Sequence, residues 1–96
     1  MSRHNEHTLK EAIEQLLKAY KLDDKLAERS LISSWKTVMG DLIAKHTTDL
    51  YIKQKQLFVT LDSAGLRNEL SLAKTKIIKM LNDEAGTEVI NNIILK

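Results

Sequence analysis

The apolar residues of this chain change their repeat partway along, and that change limits what it can fold into. Before residue 47 they recur at steps of three and four, the repeat of one helical face. From Asp49 they alternate, the repeat of a strand with one buried face. Helical spacing returns after Asp62, and the last run, 87–95, is rich in β-branched residues. A chain that switches repeat in this way is α+β, with helices laid on a small sheet.

Taken in order, residues 1–7 are polar and read as a flexible N-terminus. Thr8 and Glu11 have capping-box spacing and predict a first helix from Thr8. Leu9, Ala12, Ile13, Leu16, Leu17 and Tyr20 form its apolar stripe, which should pack on another element. A break is expected at 21–24, with Asp23 or Asp24 capping a second helix. That helix carries Leu31, Ile32 and then Trp35, Val38, Met39, Gly40, Ile43 and His46. Trp35 is read as a core anchor and His46 as a packed histidine at the last turn. Gly40 is the first glycine of the chain, and an interior glycine costs a helix about 1 kcal/mol relative to alanine. Either the helix breaks and restarts there, with Asp41 as cap, or another backbone approaches closely.

The alternating part reads as a hairpin. Leu50 and Ile52 share a face with Leu57, Val59 and Leu61, while Tyr51 and Phe58 point the other way. Gln54-Lys55 is the turn, without the usual glycine. Asp62-Ser63 should cap a third helix running to a left-handed Gly86, followed by a third strand over 87–95. The expected order is α-α-β-β-α-β, a single small domain over 8–96. The strand–helix–strand unit makes its two strands parallel, so the three-stranded sheet is mixed.

Several classes of function have nothing to rest on. There is no cysteine, hence neither disulfides nor thiolate metal sites. Removal of Met1 would leave Ser2-Arg3-His4, donors suited to square-planar copper or nickel, but such triplets are common by chance and no metal or cofactor is expected. The N-terminus lacks an apolar signal core and no apolar run is long enough to span a membrane, so a cytoplasmic protein is expected. The glycines, Gly40, Gly65 and Gly86, are too scattered to cradle a phosphate, and no small-molecule substrate or enzymatic nucleophile is indicated.

Charge offers a local signal. Residues 53–79 hold six basic residues against two acidic ones, a local +4 in a chain of net +2. Lys53, Lys55, Arg67, Lys74 and Lys76 are the candidate phosphate contacts. A solvated lysine-rich face explains the same charges, and on charge alone is the preferred explanation. Tyr51 or Phe58 is placed to stack on a base, although packing of both rings under the first helix is favoured.

The run Trp35-x-x-Val38-Met39-Gly40-x-x-Ile43-Ala44-x-His46-Thr47 resembles the signature of the DciA-like family. Leu57-x-Val59, Ser63-Ala64 with Glu69-Leu70, and Leu81-Asn82 before Gly86 agree with it, so the resemblance covers roughly residues 9–95. The resemblance implies a KH-like domain without a Gly-x-x-Gly loop. It implies a bacterial DNA-replication adaptor that binds DNA, single-stranded or double-stranded, and the replicative helicase, and that assists helicase loading. Longer members carry a flexible tail after the folded domain, whereas this sequence stops at the third strand, so contacts made by such a tail are not expected of these residues. A protein-interaction domain that binds no nucleic acid, or an RNA-binding module, is the alternative.

Overall fold

The computed structural model describes the backbone of residues 2–96 and the side chains of 8–16 and 24–96. Its elements are α1 (Ser2–Met39), α2 (Asp41–Lys45), β1 (Thr47–Lys53), β2 (Gln56–Leu61), α3 (Ala64–Ser71), α4 (Lys74–Ala85) and β3 (Asn92–Leu95). The order is the expected one, with the third helical segment divided in two. β2 is central, antiparallel to β1 and parallel to β3.

The first two helical segments are divided differently from expectation. α1 starts at Ser2, so Thr8 lies inside it rather than capping it, and it runs through 21–24 without a break. Neither proline nor glycine occurs before Gly40, and an aspartate pair costs a helix interior too little to end it. At 1.5 Å per residue the helix is about 57 Å long, which accounts for the long dimension of the 65 × 19 × 19 Å domain. The expectation that its first stripe packs on another element fails over 8–16. Every side chain there is exposed, including Leu9, Ile13 and Leu16. Leu17 and Tyr20 lie outside the described side chains, as do the polar tail 1–7 and its Ser2-Arg3-His4 triplet. Among the described side chains, burial begins at Ala27 and is complete at Leu31.

The helix stops at Gly40, and the reason is its backbone. Gly40 has φ 92° and ψ 167°, a region open essentially to glycine alone. Nothing lies within 4 Å of where a Cβ would stand, so the position needs conformational freedom rather than space. Asp41 then opens α2 without capping it by a side-chain hydrogen bond, and pairs loosely with Lys36 instead. Trp35, 3% exposed, donates from Nε1 to Thr47 Oγ1 at 3.0 Å, and that hydroxyl donates to the Ile43 carbonyl at 2.7 Å. The signature run is thus a corner. Gly40 turns the chain, and Trp35 and Thr47 tie its two arms together.

β2 alternates as expected, with Leu57, Val59 and Leu61 buried. They join Leu31, Trp35, Leu70, Ile77, Leu81, Val89, Ile90 and Ile93 in one core. The hairpin turn holds Gln54 and Lys55 at φ 51° and 61°, the mirror-image geometry that normally selects Asn-Gly. Ser63 caps α3 by accepting from the Leu66 N–H at 3.3 Å, and Gly86 ends α4 at φ 82°. Leu72 and Ala73 interrupt what the spacing predicts as one helix, their N–H groups turning back to Glu69 and Leu70. No glycine or proline marks that break.

The third strand is shorter than 87–95. Asn82 takes the place of a sheet partner for the loop before it, accepting from the N–H groups of Val89 (2.9 Å) and Ile90 (3.1 Å) and donating to the Ile90 carbonyl (2.8 Å). Val89 and Ile90 can therefore both be buried without alternating.

Gly40→Ala should cost about 1–3 kcal/mol from backbone strain, and Trp35→Ala about 3–5 kcal/mol from lost burial. Ile13→Ser, on the exposed stripe, should stay within about 0.5 kcal/mol of the parent. Urea denaturation reads all three. Gln54→Asn with Lys55→Gly should raise stability by about 0.5–1 kcal/mol by relieving the positive φ angles, seen as a higher urea midpoint at unchanged slope.

Candidate nucleic-acid interface

Alternation along the strands gives the sheet two unlike faces. The core face carries Leu50, Ile52, Leu57, Val59 and Ile93. Tyr51, Phe58 and Ile94 stand in one row across β1, β2 and β3 on the other face, with Lys53, Gln56 and Asn92 in the next row. This corrects the expectation that both rings pack under the first helix. Tyr51 is 40% exposed and stacks on Phe58, with ring centroids 4.8 Å apart and planes 8° from parallel. Lys96 holds its Nζ over the Phe58 ring, 5.4 Å from the centroid. Lys53 is exposed beside Tyr51 in the same strand. The face thus presents an aromatic platform with a cation on either side.

The structure separates the five basic residues singled out in the sequence. Lys53 flanks the platform. Arg67 and Lys74 come together, lining a shallow depression with Ala64, Asn68, Ser71 and Leu95. Leu95 precedes Lys96, so this depression and the platform meet around the end of β3. Lys55 projects from the hairpin turn beside Asp24, Glu28 and Glu88, which offset its charge. Its carbonyl accepts from the Asn91 N–H at 2.8 Å. Lys76 is exposed on α4, outside the Arg67–Lys74 depression. Lys96 escaped the sequence reading, because only pairing of β3 parallel to β2 brings it to Phe58.

Among the signature residues Trp35 is buried, whereas Val38, Met39, Gly40, Ile43 and His46 are half-buried around the corner. His46 Nδ1 lies 2.7 Å from Asp62 Oδ1, and the Asp62 N–H donates to the His46 carbonyl at 3.0 Å. The pair fastens the start of β1 to the end of β2. Among the described residues no three His, Asp or Glu side chains gather as a metal set, and no helix is long and apolar enough to cross a membrane.

Sequence comparison finds relatives of this chain. A UPF0232 protein of Corynebacterium glutamicum (strain R) is 31% identical over 61 residues, which is 64% of this chain and 34% of that protein. A UPF0232 protein of Mycolicibacterium smegmatis is 28% identical over 69 residues, 72% of this chain and 36% of its own length. Another sequence from that organism, with the same identity and coverage, is named for the recF-gyrB intergenic region. The chain spans about a third of the length of these relatives. No solved structure matches, so the KH-like comparison has no structural neighbour behind it. Residues 8–95 match the family described as "Dna[CI] antecedent, DciA", and the chain belongs to that family.

Proposed function

We propose that this domain is a non-enzymatic DNA-replication adaptor that binds single-stranded DNA on its open sheet face and engages the replicative helicase to assist its loading. The stacked Tyr51–Phe58 pair between Lys53 and Lys96 is the observation that carries the DNA-binding part. An unpaired base has a π-face for the exposed tyrosine, and the adjacent cations suit the phosphates on either side. From Lys96 the backbone can continue around the end of β3 to Arg67 and Lys74. Lys76 adds to the positive field at longer range, whereas the charge of Lys55 is offset by Asp24, Glu28 and Glu88. The helicase part is supported by family membership and by the family's description as an antecedent of Dna[CI].

A second reading, a protein-docking domain without nucleic acid, is favoured by the exposed Leu9, Ile13 and Leu16 of α1. Fluorescence anisotropy of a labelled single-stranded oligonucleotide, with DNA and RNA of one sequence in parallel, separates the readings. The adaptor reading expects binding to DNA that weakens steeply with salt. Tyr51→Ala should weaken it about tenfold or more through lost stacking. Lys53→Ala should reduce the salt slope by about 1. Absence of binding alone, with a response only when helicase is added, would leave the docking reading. Tighter binding to RNA would transfer the same face to an RNA-binding role.

A further inference from the structure

β1 is an edge strand, and its sequence is complementary to itself. The two-residue turn makes Lys53 and Gln56 a hydrogen-bonded pair. Asp49, Tyr51 and Lys53 therefore direct their backbone groups to β2, and Leu50 and Ile52 direct theirs to the open edge. In agreement, the Leu50 N–H bonds to Asp49 Oδ1 at 3.0 Å rather than to β2. An open groove of about 610 Å³ runs beside this edge on the core side, lined by Ile32, Leu50 and Ile52 and rimmed by Lys25, Glu28 and Arg29.

We propose that β1 pairs antiparallel with β1 of a second copy about a two-fold axis through Tyr51, joining the two sheets into one of six strands. In this register Leu50 and Ile52 of one copy face Ile52 and Leu50 of the other as hydrogen-bonded pairs, which matches the outward direction of their backbone groups, the Leu50 N–H exchanging Asp49 Oδ1 for the facing Ile52 carbonyl. Asp49 faces Lys53 of the second copy, and the axis generates that pair twice. Moving the register by two residues either way sets Asp49 or Lys53 opposite Tyr51, so the charges select a single alignment. Leu50 and Ile52 of the second copy lie on the core side beside the groove and cover its apolar floor. The opposite side gains a continuous row of rings, Phe58 and Tyr51 from one copy followed by Tyr51 and Phe58 from the other. The pairing requires neither DNA nor helicase, so it stands or falls apart from the adaptor reading.

Sedimentation velocity of the whole chain from micromolar to near-millimolar concentration tests the pairing. A monomer–dimer equilibrium is expected. Asp49→Lys alone, or Lys53→Asp alone, sets like charges face to face twice and should weaken the dimer about tenfold or more. The double exchange Asp49→Lys/Lys53→Asp should restore it. Circular dichroism verifies that each variant is folded. Tyr51→Cys gives an independent readout in a chain with no native cysteine. Facing residues of a non-hydrogen-bonded pair have Cα atoms about 4.5 Å apart, within disulfide reach. That variant should cross-link under mild oxidation much faster than Lys76→Cys on α4. A monomer at every concentration would overturn the proposal. So would a dimer indifferent to both single exchanges, or cross-linking no faster at Tyr51→Cys than at Lys76→Cys.

Discussion

The corner at Gly40 is the constraint on which the rest of this domain depends. A helix of 38 residues would continue past Met39 unless something turned it, and a backbone near φ 92°, ψ 167° cannot be helical. The turn sends α2 back along α1 and delivers Thr47 to the Trp35 indole. Thr47 is also the first residue of β1, so the same contact sets where the sheet begins. His46 and Asp62 then close the other side of the corner onto the end of β2. A short polar network thereby fixes the helix-to-sheet geometry, and the apolar core fills in behind it.

That geometry leaves one sheet face free. All of the fully buried side chains fall on the helix side. With β2 in the centre and three strands in all, the other face has no second layer, and its rings stack on each other in the absence of a cover. Such a face is unusual for a small domain, because it forgoes apolar burial that the fold otherwise needs. A surface used for binding gives a physical reason for leaving Tyr51, Phe58 and Ile94 there. The long α1 adds a second exposed apolar feature, set apart from the sheet along the long axis.

Much of this was legible in the sequence. The change of repeat at Asp49 separates helices from hairpin, and the glycines at 40 and 86 mark real ends because both need positive φ. Ser63 was legible because capping is local chemistry. The false break at 21–24 shows the weakness of aspartate as a stop signal when neither glycine nor proline supports it. The break at Leu72–Ala73 carries neither glycine nor proline to mark it. The shortened β3 follows from the Asn82 side chain, which replaces strand pairing where β-branched residues suggested a strand. The candidate site was half visible. Alternation put Tyr51 and Phe58 on one face, but whether a helix covers that face depends on the path of α1. Lys96 joins the site only through parallel pairing.

The surface proposed to meet single-stranded DNA is the open sheet face rather than the helical side. Chemical-shift mapping of backbone amides during titration with an oligonucleotide tests it most directly. Shifts centred on Tyr51, Lys53, Phe58 and Lys96 and continuing to Arg67 and Lys74 are expected. Shifts confined to Lys76 and the exposed side of α4, with Tyr51 and Phe58 unmoved, would rule out the sheet face as the DNA surface.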